Sequence, residues 1–143
     1  MAAERHWSLC VPAAADRLQD LRCLTREAAA ALGFTATATE ELVLAVNEAC
    51  MNVIQHGYGG ESGLLELWIL PIHDGIEVRL RDLAPPVSLA DWRPRDLQDV
   101  RPGGLGVHFI RSIMDEIAYL PAPDGIGNLL CMRKCRDAPE GGA

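Results

Sequence analysis

The polar face of one predicted helix carries two side chains whose types and spacing suit phosphate chemistry. Over residues 40–57 the apolar residues recur with the period of an α-helix, and Glu48 and Asn52 fall on the opposite face, one turn apart. The Asn52 carboxamide oxygen is a hard neutral ligand that can complete the coordination of a phosphate-bound Mg²⁺. The Glu48 carboxylate can accept a proton from a hydroxyl or water that attacks a phosphoryl group. Such a pair also fits an ordinary solvated helix face, so its interpretation depends on the rest of the chain.

Two further segments carry groups suited to a nucleotide. Asp82 ends a predicted strand, where its carboxylate can accept a hydrogen bond from an exocyclic amine such as that of adenine. Gly103, Gly104 and Gly106 directly precede a predicted helix, so free backbone N–H groups and the helix dipole can receive phosphates. Each feature alone fits a turn, but their order along the chain, together with the helix pair, predicts a nucleotide site.

Length, composition and charge indicate one soluble domain. The chain has 143 residues, enough for a single sizeable core, and its 49% hydrophobic but 5% aromatic content predicts an aliphatic interior. The 13 Lys and Arg residues against 20 Asp and Glu give a net charge of −7, which opposes binding to nucleic acid or anionic membrane and suits a protein partner. We find neither an apolar run long enough to span a membrane nor a signal-peptide core, and expect a cytoplasmic protein.

The cysteines and histidines do not indicate a disulfide framework or a zinc site. The five cysteines are an odd number and contain no Cys-x-x-Cys pair. The four histidines lack metal-ligand spacing such as His-Glu-x-x-His. We therefore expect most cysteines to be small buried side chains.

Periodicity and turn residues divide the chain into eight predicted elements in a single domain, residues 1–135, followed by a flexible tail, 136–143. The elements are a strand at 6–11, a helix at 13–32, the central helix at 40–57 with a capping box from Thr37 to Glu40, strands at 64–72 and 76–83 joined by Asp74-Gly75, a helix at 107–114, and strands at 116–120 and 128–134. Residues 87–102 form a long irregular connection, which is typical of a lid. This order predicts an α+β fold, a two-layer α/β sandwich with a mixed, mostly antiparallel sheet and three helices on one face.

The motifs and their spacing resemble the Bergerat-type ATP-binding fold, also called the GHKL ATPase domain. The chain is most similar to the anti-sigma-factor serine/threonine kinases of bacterial partner-switching systems. The likeness covers residues 5–135 and rests on residues 47–52 continuing to 58, on 81–82, and on the glycine motif 103–111 followed by 114–115.

The resemblance implies a role for each matching residue and implies ATP and Mg²⁺ as cofactors. Glu48 matches the catalytic glutamate, Asn52 the asparagine that holds Mg²⁺ against the ATP phosphates, and Asp82 the aspartate that binds the adenine amino group. Gly104 and Gly106 match the glycines that hinge the lid and approach the phosphates. The nucleotide-binding set is completed by His56, Ala84, Gly103, Leu105, Val107 and Asn128.

Two positions depart from the family pattern. Where the family has Asp-x-Gly, this chain has Ala84 in the third position, followed by Pro85 and Pro86. The added methyl and the stiff backbone beside the adenine leave open whether nucleotide is tolerated or weakened. Asn128 stands where many relatives have a threonine that contacts the base region, and a carboxamide can still donate and accept.

The resemblance implies that the substrate is a serine or threonine hydroxyl on a STAS-domain anti-anti-sigma protein, and that the chain binds this protein or a sigma factor and dimerises. An alternative is a nucleotide-weak module that sequesters a sigma factor or STAS-domain partner without catalysis. Glu48 and Asn52 favour the kinase, because sequestration needs neither. A histidine-kinase catalytic domain or a topoisomerase- or chaperone-type ATPase is less favoured, because only the nucleotide domain is present.

Overall fold

A five-stranded sheet covered on one face by three helices makes up the described part of the protein. The computed structural model describes residues 5–59, 61–91 and 106–136. In chain order the elements are β1 Trp7–Pro12, α1 Leu18–Ala31, α2 Ala36–Asn52, β2 Leu64–Ile72, β3 Gly75–Asp82, α3 Gly106–Ile113, β4 Glu116–Leu120 and β5 Asn128–Cys135. The strand order is β1-β2-β3-β5-β4, and each neighbouring pair is antiparallel. The predicted α+β sandwich is confirmed, and each described strand begins and ends within one residue of its prediction.

The core lies between the sheet and the helices, with α2 between α1 and α3. Alternate strand residues point to the helices and are buried, because successive side chains of a strand lie on opposite faces. They include Leu65, Leu67 and Ile69 of β2, Ile76, Val78 and Leu80 of β3, and Leu130 and Met132 of β5. The helices contribute Leu21, Leu42, Val46, Cys50 and Ile110, among others. The interior is therefore aliphatic, as the composition predicts. The expected burial of most cysteines is wrong, because Cys10, Cys23 and Cys135 are exposed.

The central helix begins at Ala36, and the predicted capping box from Thr37 to Glu40 is wrong. The extended residue Thr35 is the N-cap, and its side chain accepts a hydrogen bond from the Ala38 N–H at 3.1 Å. Thr37 lies inside the helix, and the Glu40 carboxylate pairs with the Arg26 guanidinium of α1 at 2.8 Å. Threonine is a favourable N-cap residue at either position, and in the fold Glu40 is paired with Arg26 of α1 instead of reaching back to a cap at Thr37.

The first long helix differs from its sequence prediction at its start, and the central helix also differs at its end. A 3₁₀ turn, Ala15–Arg17, precedes α1, and the left-handed φ of Gly33, 86°, ends this helix as predicted. At its C-terminal end α2 stops at Asn52, and the chain continues as a π-helical turn, Val53–Gly57. The Tyr58 N–H closes this turn on the Val53 carbonyl at 2.9 Å. The sequence predicts a continuous α-helix through Gly57, but its last turn is a wider π-helical turn.

Part of the predicted lid and tail lies outside the described residues. Of the lid at 87–102 the structure describes the first residues, which include a 3₁₀ turn at Leu89–Asp91. Of the tail it describes Arg136, whose N–H donates to the Asp74 carbonyl at 2.7 Å and whose side chain donates to the Leu32 carbonyl at 3.2 Å. No helix within the described ranges has the length and apolar character needed to span a membrane.

Candidate functional site

The C-terminal end of α2, the end of β3 and the start of β5 meet at one end of the sandwich. Asp82 and Asn128 are register partners across the β3–β5 pair, and the Asn128 Nδ2 donates to the Asp82 Oδ1 at 2.9 Å. Gly57 lies so close to Ala84 that a methyl group on Gly57 would come within 3.2 Å of the Ala84 Cβ. The fold thus brings together three segments that lie far apart in the sequence and that each carry predicted site residues.

Glu48 and Asn52 lie in the last turns of α2, both half-buried. Among the described residues neither side chain has a hydrogen-bond partner. Their neighbour Asn47 differs, because its carboxamide accepts from Arg22 at 2.9 Å and contacts the Met51 sulfur at 3.5 Å. Burial raises the pKa of the Glu48 carboxyl, which makes its carboxylate a stronger base. A base and a neutral oxygen ligand, one turn apart, are therefore both available to a ligand.

Asp82 is buried, with 5% of its surface exposed, and its bonds to other described residues involve one carboxylate oxygen. Its Oδ1 accepts from the Ala84 N–H at 2.9 Å and from the Asn128 Nδ2 at 2.9 Å. Its Oδ2 has no hydrogen-bond partner within the described ranges. Burial raises the pKa of Asp82, and the bonds from Asn128 and from the Ala84 N–H act in the opposite direction. The second oxygen can accept a hydrogen bond from a ligand donor such as an exocyclic amine.

The methyl group of Ala84 is packed inside the protein. Ala84 is 2% exposed and lies against Gly57, whose missing side chain leaves the room that the methyl fills. The departure from the Asp-x-Gly pattern is therefore matched by a glycine at the end of the central helix. A side chain at position 57 and the methyl at position 84 would compete for the same space.

Asn128 binds the segment that follows β3. Besides its bond to Asp82, its Nδ2 donates to the Pro85 carbonyl at 3.1 Å, and its Oδ1 accepts from the Val87 N–H at 2.8 Å. The residue is 6% exposed. These bonds span more than forty positions of sequence, so they could not be read from local patterns.

Tyr58 is a residue of this site for which sequence reasoning predicted no role. Its hydroxyl donates to the Leu64 carbonyl at 2.8 Å and accepts from the Leu83 N–H at 2.7 Å, next to Asp82. The ring lies over Gly63, where a methyl group would come within 2.2 Å of it. The glycines around Tyr58 were the available signal, because a glycine often marks a close approach of another group to the backbone. Tyr58 joins the end of the π-turn to the end of β3.

The remaining predicted residues are placed only in part. His56 is exposed in the π-turn, Gly106 is the first residue of α3 and Val107 the second. Gly103, Gly104 and Leu105 lie outside the described residues. No group of three or more His, Cys, Asp or Glu in the described part of the chain could hold a metal ion. The Asn52 carboxamide oxygen could join phosphate oxygens and water around a Mg²⁺ ion, which is a usual environment for this ion.

Comparison with known proteins identifies a family for this chain. Residues 11–134 match the family described as the histidine kinase-like ATPase domain. The chain is 29% identical over 117 residues to the serine-protein kinase RsbW of Halalkalibacterium halodurans, which covers 76% of this chain and 72% of that protein. It is also 29% identical over 117 residues to the serine-protein kinases RsbW of Bacillus velezensis and Bacillus subtilis, covering 75% of this chain and 72% of each relative. These matches confirm the predicted resemblance to this kinase family. Because the match runs from β1 to β5, the chain belongs to the histidine kinase-like ATPase domain family.

Proposed function

We propose that the chain is an ATP-dependent serine/threonine protein kinase that phosphorylates a STAS-domain anti-anti-sigma protein and acts in the cytoplasm as an anti-sigma-type, partner-switching regulator. The observation that carries this proposal is the pair Glu48 and Asn52, half-buried, without described protein partners and one turn apart. A module that only sequesters its partner needs neither group. The relatives named serine-protein kinases support the same reaction.

Each residue of the site has a distinct task in this proposal. Asp82 would hold the adenine amino group through its Oδ2, and Asn52 would hold Mg²⁺ through its carboxamide oxygen. A bound ATP would supply the γ-phosphoryl group and leave as ADP. Glu48 orients the serine or threonine hydroxyl of the docked partner and accepts its proton, for which a raised pKa suits the carboxylate. The glycine motif at 103–106 would bind phosphates through backbone N–H groups, as the resemblance implies.

Charge offers a reason for release of the modified partner. Phosphorylation adds roughly −1.5 to −2 charges to the partner at pH 7. The chain itself carries a net charge of −7, so the modified partner is repelled more strongly than the unmodified one. Release then leaves this chain free to bind a sigma factor. Raising the ionic strength should narrow the affinity gap between the two forms of the partner, because salt screens exposed charges.

Calorimetry with MgATP tests the nucleotide site. We expect the wild-type chain to bind MgATP, Asn52→Ala to weaken binding in a Mg²⁺-dependent manner, and Gln55→Ala, an exposed change just beyond it, to bind normally. If Asn52→Ala weakened nucleotide binding equally with and without Mg²⁺, Asn52 would not be a metal ligand.

A transfer assay with radiolabelled ATP and a STAS-domain protein from the same organism tests the base. Glu48→Gln should slow phosphate transfer by about 10² to 10⁴ while MgATP binding is retained, because a positioned base contributes that much. Glu41→Gln, an exposed glutamate of the same helix, is the matched control. Transfer at the native rate in Glu48→Gln would show that another group takes the proton.

The sequestering module is the second candidate, and the Ala84-Pro85-Pro86 departure favours it. Its expected result is binding of the protein partner without MgATP binding at millimolar nucleotide. In that case the fold assignment stands and the kinase chemistry is withdrawn. The close packing of Ala84 on Gly57 argues for the kinase. Because the Ala84 methyl group is buried against the protein, it takes no space from a bound base.

A further inference from the structure

Both N–H donors of the Asn128 carboxamide are bound within the protein. A carboxamide has two N–H donors and a carbonyl oxygen with two lone pairs. The Nδ2 of Asn128 donates to the Asp82 Oδ1 at 2.9 Å and to the Pro85 carbonyl at 3.1 Å, and the Oδ1 accepts from Val87 at 2.8 Å. Both donors are therefore occupied, and Asn128 has no N–H left for a nucleotide base.

The segment that Asn128 holds has few other anchors. Residues 85 and 86 are prolines and have no N–H, so the stretch 84–87 contains two backbone donors, those of Ala84 and Val87. The Ala84 N–H binds the Asp82 Oδ1, and the Val87 N–H binds the Asn128 Oδ1. Each backbone donor of this segment is thus bound by a side chain of the same small cluster.

The cluster also determines how Asp82 faces a ligand. Two donors, the Ala84 N–H and the Asn128 Nδ2, hold its Oδ1, which leaves the Oδ2 as the oxygen without a partner in the described chain. Without the Asn128 donor the carboxylate would be held by one neighbouring backbone N–H alone and could rotate about χ2, where the torsion is broad. A single fixed acceptor oxygen is what discriminates a base that carries an amine from one that carries a carbonyl.

We propose that Asn128 is a positioning residue that sets the base selectivity of the nucleotide site through Asp82, by holding the Asp82 Oδ1 and the backbone of residues 84–87. In this role it donates no hydrogen bond to the base itself. The resemblance places Asn128 among the nucleotide-binding residues. In this proposal Asn128 contributes to binding by positioning Asp82, not by donating to the base. This inference rests on the proposed function in so far as the ligand is an adenine nucleotide.

Selectivity for ATP over inosine triphosphate tests the proposal, because inosine has a carbonyl where adenine has the exocyclic amine. We expect wild type to prefer ATP by about 100-fold or more in calorimetry, since a site built for a donor strongly rejects an analogue that lacks it. Asn128→Ala should reduce this preference by about 10-fold or more through weaker ATP binding, with inosine triphosphate binding changed little. Asn128→Asp keeps an acceptor for the Val87 N–H but replaces the donor to Asp82 by a second carboxylate oxygen. This variant should also lose the preference for ATP, because the two carboxylates repel each other.

A double-mutant cycle separates support from direct contact. Asp82→Asn alone should abolish the preference for ATP. Adding Asn128→Ala should change the preference no further, because Asn128 acts on the base only through the Asp82 carboxylate. Asn47→Ala, which loses a comparable pair of side-chain contacts on α2, is the matched control and should retain the preference. Additive effects of Asp82→Asn and Asn128→Ala, or an unchanged preference in Asn128→Ala, would overturn the proposal.

Amide hydrogen exchange without nucleotide tests the anchoring separately. The Val87 amide should exchange at least about 10-fold faster in Asn128→Ala than in wild type, whereas Asn128→Asp should retain most of the protection. Unchanged exchange at Val87 in Asn128→Ala would show that Asn128 does not hold the segment. If wild type fails to bind ATP, the proposed function and the selectivity role both fail, and the exchange result still decides whether Asn128 anchors residues 84–87.

Discussion

A methyl group at Gly127 is expected to separate the start of β5 from the end of β3, where Asp82 lies. Gly127 has a left-handed φ of 76°, and a Cβ there would lie 1.9 Å from the Asp82 carbonyl oxygen and 2.7 Å from the Leu83 Cα. These atoms are backbone and cannot rotate away as a side chain does. Gly125 in the same turn has a similar φ of 68° but no atom within 4 Å of its Cβ position. Gly127→Ala and Gly125→Ala therefore form a matched pair that differs in the close approach.

The structure sets the size of the expected difference. A side chain in the left-handed region costs roughly 1–2 kcal/mol, and this cost applies to both variants. For Gly127→Ala, relief of the overlap to an ordinary contact of about 3.5 Å also requires the two backbones to move apart by more than an ångström. Such a shift weakens the β3–β5 bonds near Asp82 and Asn128, each worth about 1 kcal/mol. We expect a loss of about 3–5 kcal/mol for Gly127→Ala, against about 1–2 kcal/mol for Gly125→Ala.

Urea and thermal unfolding followed by circular dichroism measure both losses. The melting temperature of Gly127→Ala should lie several degrees below that of Gly125→Ala, since a kilocalorie per mole is worth about 3–5 °C in a domain of this size. Nucleotide binding to folded Gly127→Ala should also weaken, because Asp82 shares the displaced backbone. Equal stability of the two variants would show that the close approach at Gly127 does not constrain the structure, and the reasoning would be refuted.

Three further changes test other parts of the structure. Thr35→Ala should lower the free energy of unfolding by about 1 kcal/mol through loss of the N-cap, whereas Thr37→Ala, inside the helix, should cost less in the same urea titration. Burial raises the pKa of Glu48 in the folded state, so Glu48→Gln should increase the free energy of unfolding at pH 7. Urea titrations should show this gain vanish below about pH 4, because the carboxyl is then protonated in both the folded and the unfolded state. Gly57→Ala should destabilise the fold by crowding the Ala84 methyl, and Ala84→Gly in the same chain should recover part of that stability; an additive double mutant would argue against this contact.

The elements of this fold could be predicted because their signals are local. Alternating apolar residues predicted β2 and β3, and Asp74-Gly75 predicted the hairpin between them. The spacing of Glu48 and Asn52 placed both on one face of the central helix before any tertiary contact was known. Their chemical roles stay predictions, because spacing along a helix determines which residues can act together and not what they bind.

The contacts that assemble the site were decided by the tertiary structure. The Asn128 carboxamide meets Asp82 from 46 positions away, and the Tyr58 hydroxyl meets the Leu83 N–H from 25 positions away. The packing of Ala84 on Gly57 likewise joins two segments that no local pattern connects. Local periodicity and turn chemistry were enough to locate the helices and strands and the spacing of the helix pair, but not the helix ends. The orientation of Asp82 depends on the donor that the folded chain brings to its carboxylate from 46 positions away. Short-range sequence patterns could not predict this contact, because they relate only residues that are close in sequence.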